Sequence, residues 1–155
     1  MEINLVAVGK LRPYYREALD DYGRRLQRYA VFREHEVREA SRAPNVAVQR
    51  VEEAQRLASR IPASANVVAL ARVGAGWTSA DLATQLDRWI LAARPLAFVI
   101  GGSHGLDASL IGRATATWSL GSLTLPHELA RIVVVEQLYR AFTILRGEPY
   151  HKGRV

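Results

Sequence analysis

The chain has 155 residues, a formal net charge of +6 and 49% apolar residues, and it contains no cysteine. Its length and apolar content predict a single folded domain spanning residues 1–155 and argue against a disordered chain. The lack of cysteine excludes disulfides and any metal or redox site built on thiolates. Because no apolar run is long enough to cross a bilayer and residues 1–4 do not resemble a signal peptide, we expect a soluble, cytoplasmic protein.

The positive charge comes almost entirely from arginine. A surplus of basic residues favours a polyanionic partner, of which nucleic acid is the commonest. Guanidinium groups bond phosphate with paired donors and stack on bases, which favours RNA or DNA further. A basic surface without such a partner would account for the same composition.

Short apolar runs alternate with amphipathic stretches in the first half of the chain. Residues 3–8 and 66–71 are apolar runs that predict buried strands, and the alternation over residues 31–37 predicts a less buried strand. Apolar residues at three- and four-residue spacing predict helices over residues 13–29 and 46–61.

The second half continues this alternation. Thr78 and Ser79 cap a predicted helix that ends at Pro95. The remaining predicted elements are a strand over residues 96–100, a short helix over 107–111, an extended segment over 114–125, a helix over 127–145 and an irregular tail.

Strands that alternate with helices predict an α/β fold, a parallel sheet flanked by helices on both faces. Ligands of such sheets bind beyond the carboxyl ends of the strands. The segments predicted there follow Leu70, follow Ile100 and span residues 118–126, and all three are rich in glycine or small residues. We therefore expect a ligand site where they converge.

The last of these segments leads directly into a long apolar helix. Pro126 suits a helix start, and helical apolar spacing begins at His127. Because a helix start presents free N–H groups and a partial positive charge, this junction suits an anionic or carboxylate-bearing ligand.

Residues 101–105 match the G-x-S-x-G pattern between a predicted strand and helix, which is the setting of a hydrolase nucleophile. Ser103 would be that nucleophile, with Asp107 and either His127 or His151 as partners. Asp107 lies too close in sequence to orient a distant histidine. The other interpretation is a glycine loop that lets the backbone approach a ligand.

Other motifs are weak or ambiguous. Gly74 and Gly76 lack the third glycine of a dinucleotide fingerprint, and the four histidines show no metal-binding spacing, so we expect no metal. In the tail, Tyr150, His151 and Lys152 suit stacking on a base and holding phosphate. A frayed terminus is the alternative.

Several motifs together resemble the RlmH family, small SPOUT-class methyltransferases that methylate N3 of a pseudouridine in large-subunit ribosomal RNA. The resemblance covers nearly the whole chain. It departs from the family pattern at Ala71 and Ala75, where members often carry an acid and a lysine, and in the tail, which runs on to Val155. The motifs are Ile100-Gly101-Gly102-Ser103-x-Gly105, Trp118-Ser119-Leu120-x-x-Leu123-Thr124-Leu125-Pro126-His127-x-Leu129-x-Arg131, Glu136-Gln137-Leu138-Tyr139-Arg140-Ala141 and Pro149-Tyr150-His151-Lys152.

The resemblance implies a C-terminal trefoil knot, a homodimer, S-adenosylmethionine as methyl donor, and ribosomal RNA or the assembled ribosome as substrate. It implies a catalytic role near the target base for Arg140, Tyr150 and His151. The implied cofactor contacts are Leu70, Gly101, Leu120, Gly121, Ser122, Leu123, Thr124 and Leu125. A non-catalytic RNA-binding α/β module is the chief alternative, and a small serine hydrolase using Ser103 is another.

Overall fold

The computed structural model describes the backbone of residues 1–152 and the side chains of residues 1–150. Strands and helices alternate along this part of the chain, and a short 3₁₀ helix at Pro149–Lys152 follows them. The elements are β1 (Glu2–Val8), α1 (Pro13–Leu26), β2 (Val31–Val37), α2 (Val46–Ala58), β3 (Asn66–Ala75), α3 (Ser79–Ala92), β4 (Leu96–Ile100), α4 (Ala108–Arg113), β5 (Ala116–Trp118) and α5 (His127–Arg146).

The strands form one sheet in the order β2-β1-β4-β3-β5, and every pairing is parallel. Successive side chains of a strand point to opposite sides of the sheet. Because both sides carry apolar residues, helices cover both faces. In β4, Phe98 packs with apolar side chains of α1, α3 and α5. Val99 packs on the other face with residues of α2 and α4. The predicted parallel α/β sheet is thus confirmed, and all its carboxyl ends lie along one edge.

The structure differs from the sequence prediction at two strands. β3 continues to Ala75 instead of ending near residue 71, and β5 stops at Trp118. Pairing of β3 with β4 ends at Ala69, and the following residues bulge so that both Leu70 and Ala75 align with Trp118. Residues 119–126 contain no strand, so the second half of the predicted extended segment is a loop.

Other differences concern helix ends. The helices α1 and α2 end three residues earlier than predicted, at Leu26 and Ala58. The tail predicted as irregular forms one 3₁₀ turn.

The implied trefoil knot stays a prediction. Among residues 1–152, no helix combines the length and apolar character that crossing a membrane requires.

One arginine of α5 joins the helix to the carboxyl ends of β1 and β2. The Arg131 side chain is buried, with 0% of the residue exposed. Its Nη2 donates to the carbonyl oxygens of Val8 at 2.6 Å and Gly9 at 2.7 Å, and its Nη1 donates to Glu36 at 2.7 Å. Its Nε has no hydrogen-bond partner among the described residues. One guanidinium therefore connects three acceptors at the ends of two strands.

Replacing Arg131 with methionine should lower the free energy of unfolding by about 3–5 kcal/mol, because Glu36 loses its buried cationic partner and two strand-end carbonyls lose a donor. Urea unfolding followed by circular dichroism measures this. Arg24→Met is the control, since the Arg24 side chain is 73% exposed and its nearest carboxylate oxygen lies 3.8 Å away. It should change stability by less than about 0.5 kcal/mol. Equal effects of the two substitutions would contradict the proposed importance of Arg131.

Candidate functional site

The three predicted ligand loops leave three neighbouring strands at the carboxyl edge of the sheet. β3 lies between β4 and β5. Ala69 of β3 pairs with Val99, just before the Gly101 loop, and Leu70 pairs with Trp118, just before residues 119–126. The structure thus brings Leu70, Gly101 and the 120–125 segment together.

Hydrogen bonds connect the end of β3 to the 119–126 loop. The amide of Ser119 donates to the carbonyl oxygen of Ala75 at 2.9 Å. Arg72 Nη2 donates to the hydroxyl of Thr124 at 2.6 Å. These two bonds fix the position of the loop relative to β3.

The 119–126 loop exposes most of the predicted cofactor contacts. Leu120 packs partly against the core, while Gly121, Ser122, Leu123 and Thr124 are exposed. Leu123 is 79% exposed, a large value for a leucine. Gly121 has a φ of +117°, and a Cβ built there would meet nothing within 4 Å. This loop therefore offers an apolar side chain and open backbone to a ligand.

The glycines of the 101–105 loop serve two different purposes. A Cβ at Gly101 would lie 2.5 Å from the carbonyl carbon of Gly105, so the loop itself requires glycine there. Gly102 and Gly105 form a β-bridge, with a 3.0 Å bond from the Gly105 amide to the Gly102 carbonyl. Gly105 has a φ of +76° and open space at its Cβ position. Among these glycines, Gly105 is the one whose position leaves room for a ligand.

Helix α2 places two residues beside this loop that sequence analysis did not identify. Arg50 Nε donates to the carbonyl oxygen of His104 at 2.7 Å. Glu53 is only 2% exposed, and its Oε2 accepts bonds from the Ala40 amide at 3.0 Å and from Gln49. Its Oε1 has no partner among the described residues and lies 3.7 Å from the Cβ position of Gly102.

Arg50 and Glu53 are three residues apart, so the helical repeat places them on one face of α2. Many solvent-facing pairs on helices have the same spacing. It gives no sign that Arg50 contacts the 101–105 loop, since His104 lies 54 residues further along the chain. No local signal could therefore have singled them out.

Within the described residues, the structure leaves no acid partner for Ser103 in the serine hydrolase alternative, because Asp107 is already bonded elsewhere. Asp107 caps α4, accepting bonds from the Ser109 amide at 3.0 Å and the Ser109 hydroxyl at 2.5 Å. These bonds hold the pKa of Asp107 below its ordinary value. The carboxylate is thus committed to its own helix, and it does not orient a histidine toward the exposed Ser103.

A second cluster, centred on Glu136 of α5, contains two of the predicted catalytic residues. Arg140 donates to Glu136 Oε1 through Nε at 3.0 Å and Nη2 at 2.6 Å. The Tyr150 hydroxyl donates to the same oxygen at 3.0 Å, and the Arg140 guanidinium lies 4.9 Å from the Tyr150 ring centroid. Tyr150 also packs edge-on against Tyr139.

This environment keeps both groups protonated. Burial and the bonds to Tyr22 and Glu136 raise the pKa of the Tyr150 hydroxyl. Burial lowers the pKa of Arg140, but the hydrogen bonds to Glu136 and its charge outweigh it, and the net shift is upward. Tyr150 is therefore a hydrogen-bond donor at neutral pH, and Arg140 is a permanent cation.

The two groups of predicted site residues lie at different levels of α5. The 119–126 loop leads into the helix start at His127, whereas Arg140 lies about 20 Å further along the axis, at a rise of about 1.5 Å per residue.

The side chain of His151 lies outside the described residues. Among the described side chains, no group of three His, Asp or Glu residues could hold a metal ion.

Comparison with known proteins identifies the family. Residues 1–151 match the family model described as predicted SPOUT methyltransferase. Two relatives are called ribosomal RNA large subunit methyltransferase H. The one from Anaeromyxobacter sp. (strain Fw109-5) is 47% identical over 153 residues, which cover 98% of this chain and 100% of the relative. The one from Methylococcus capsulatus is 38% identical over 155 residues, with the same coverage.

Solved structures share the fold at low sequence identity. A probable methylase family protein from Haemophilus influenzae Rd KW20 has a TM-score of 0.55 and 12% identity, covering 99% of this chain and 71% of that one. A probable methyltransferase from Bordetella pertussis Tohama I has a TM-score of 0.52 and 16% identity, covering 90% and 95%. With the family model and the full-length relatives, these findings show that the chain is a SPOUT methyltransferase and belongs to the ribosomal RNA large subunit methyltransferase H (RlmH) family.

Proposed function

We propose that this protein uses S-adenosylmethionine to methylate ribosomal RNA of the large subunit, at N3 of a pseudouridine. The observation on which this rests is the full-length match to relatives named for large-subunit ribosomal RNA methylation, at 38–47% identity. The positive net charge of +6 suits an RNA substrate. We expect the protein in the cytoplasm, where that substrate is made.

We propose that the cofactor binds to Leu70, Gly101 and residues 120–125. The structure supports the fit because these residues leave adjacent strands, and because Gly105 and Gly121 leave open backbone in which a ligand can lie. The exposed Leu123 can cover an apolar part of the ligand. When bound, S-adenosylmethionine supplies an electrophilic methyl group, and the loops have to align it with the target nitrogen.

The pseudouridine N3–H must lose its proton before or during transfer. We assign the Arg140 cation to stabilise the resulting imide charge, and the Tyr150 hydroxyl to donate a hydrogen bond or position the base. Because the pKa of Tyr150 is raised, its hydroxyl is a poor proton acceptor near neutral pH. His151 is the acceptor we propose, because imidazole is the side chain most often used for proton transfer near neutral pH.

We propose further that the enzyme is a homodimer of single-domain protomers and that each active site is shared. The separation of about 20 Å along α5 between His127 and Arg140 supports this, since one protomer keeps its cofactor loops apart from its own Glu136 cluster. A partner protomer can bring its Arg140 and Tyr150 to the loops. The expected trefoil knot would order those loops in each protomer.

Mapping methylated nucleotides in ribosomal RNA from cells with and without the gene tests the function directly. Loss of one N3-methylated pseudouridine in the deletion strain is the expected result. The alternative of a non-catalytic RNA-binding module predicts no binding of S-adenosylmethionine and no difference in methylation between the two strains.

Arg50→Ala should weaken S-adenosylmethionine binding by about tenfold, because the 101–105 loop loses the charged hydrogen bond that holds the His104 carbonyl. Isothermal titration calorimetry measures the Kd. Arg94→Ala is the matched control, since Arg94 Nε also donates to a loop carbonyl, that of Ser64, at 2.8 Å. Equal Kd values for both variants and the wild type would contradict support of the loop by Arg50.

Ser103→Ala should retain methyl transfer within a few fold of the wild-type rate. The serine is exposed, and Asp107 is already bonded to Ser109. Single-turnover methylation of unmodified ribosomes measures this rate. Complete loss of transfer by a folded variant that still binds the cofactor would contradict the interpretation.

Arg140→Gln should lower the methylation rate by about 10²–10⁴-fold, because the imide charge loses its cation. S-adenosylmethionine affinity should stay unchanged. Gly121→Val should abolish cofactor binding instead, because a branched side chain enters the open space beside the loop at a φ of +117°.

Mixed dimers of these two variants, isolated through two different affinity tags, test whether the site is shared. Each mixed dimer contains one intact composite site, so about half of the wild-type activity should return. Activity no higher than the sum of the two homodimers would show that each protomer works alone.

A further inference from the structure

A groove of about 300 Å³ lies beside the carboxyl end of β2, outside the cofactor loops. It is open to the surroundings because β2 is an edge strand of the sheet. Three of its lining residues are arginines whose side chains are exposed. The lining residues are Glu36, Val37, Arg38, Arg56, Ser59 and Arg60.

The positive charge of this groove is not balanced locally. Its single acidic lining residue, Glu36, already accepts from Arg16 at 2.9 Å and from Arg131 at 2.7 Å. Within residues 1–150, none of the three groove arginines forms a salt bridge, although carboxylates pair with arginines elsewhere on the surface. Three guanidinium groups therefore face the groove with donors available.

Two neighbouring contacts support this description. Arg56 Nη1 donates to the Arg38 carbonyl at 2.8 Å, which ties α2 to the end of β2 and keeps the groove in shape. The pKa of His35, in the middle of β2, is lowered by burial and then by the charges of Arg60 and Arg33, while Glu2 and Glu34 oppose this. At His35 the two arginine charges therefore outweigh the two carboxylates.

The groove and the cofactor loops both lie beyond the carboxyl ends of the strands. Arg38 directly follows β2, just as the cofactor loops follow β3, β4 and β5. With strands spaced about 4.8 Å apart, two spacings separate β2 from β4 and four separate β2 from β5, so the groove lies about 10–19 Å from the cofactor loops across the sheet. A ligand that reaches both must be extended and negatively charged along its length, which describes a nucleic-acid backbone better than a small anion.

We propose that Arg38, Arg56 and Arg60 bind backbone phosphates of the ribosomal RNA that flanks the target nucleotide. This inference rests on the proposed function and adds to it a second point of contact, remote from the reacting base. Arginine forks fit phosphate oxygens in pairs and carry no base specificity. The groove thus sets affinity and orientation of the RNA, while the chemistry occurs at the loops.

The test measures the binding of Arg38→Ala/Arg60→Ala to ribosomes purified from a strain that lacks the enzyme, over a series of KCl concentrations. Arg56 is retained because it holds the Arg38 carbonyl. The slope of log affinity against log salt should become less steep by about 2, which is about 1 for each phosphate that an arginine no longer neutralises. The KM for ribosomes should rise severalfold, while kcat and the Kd for S-adenosylmethionine stay at wild-type values.

Two variants serve as controls. Arg88→Ala/Arg113→Ala removes the same charge from exposed positions of α3 and α4 that do not line the groove, and should leave the slope unchanged. Arg38→Lys/Arg60→Lys keeps the charge and should keep most of the slope.

A wild-type slope in the Arg38→Ala/Arg60→Ala variant would overturn the groove proposal while leaving the proposed function intact. An equal change in the Arg88→Ala/Arg113→Ala variant would also overturn it, because the effect would then come from net charge alone. Failure of the wild-type protein to methylate these ribosomes would instead contradict the proposed function, and with it the inference.

Discussion

The buried guanidinium of Arg131 is the interaction on which the carboxyl edge of the sheet depends. It lies one turn into α5, and it bonds the carbonyl oxygens of Val8 and Gly9 at the end of β1 together with Glu36 of β2. Burying a cation is costly unless hydrogen bonds and an opposite charge compensate. Here the carboxylates of Glu36 at 2.7 Å and Glu34 at 3.9 Å and two carbonyl oxygens supply that compensation, so α5 is held in one place relative to the strands.

Because α5 is fixed, the loop that enters its first turn is also held in place. The first turn of α5 is tied to the segment after β1, because Glu128 accepts from the Arg12 amide at 2.8 Å. The loop that enters the helix therefore starts from a rigid base, and its other end is held to β3 through Ser119 and Thr124. Between these attachments the exposed residues 121–123 are available to a ligand.

Further along α5, the Glu136 cluster is organised by a single carboxylate. Glu136 accepts from Arg140, Gln137 and Tyr150, and Gln137 in turn accepts from Ser79 of α3. This network orders the C-terminal 3₁₀ helix against α5 without using the cofactor loops. One helix thus positions two separate groups of predicted site residues, about 20 Å apart along its axis.

Much of this architecture is visible in the sequence because it depends on local patterns. Alternating apolar runs and helical spacing predicted the parallel α/β sheet, and the boundaries of β2 and β4 match the prediction. Glycine and small residues after Leu70, Ile100 and Trp118 indicated the loops that the sheet then places side by side. Motif resemblance indicated the family, which the comparisons confirmed.

The remaining features required the tertiary structure, since their partners are distant in sequence. β3 extends to Ala75 because Gly74 lets the strand approach the Thr117 carbonyl closely, a contact that no periodicity encodes. Arg50 and Glu53 look like ordinary helix residues until α2 lies against the 101–105 loop. The sequence by itself determined where most strands and helices lie and which loops are predicted to bind a ligand, because propensity and apolar periodicity act over a few residues. Only the tertiary structure decided which charges are buried, paired or left open, because that depends on which distant segments the fold brings together.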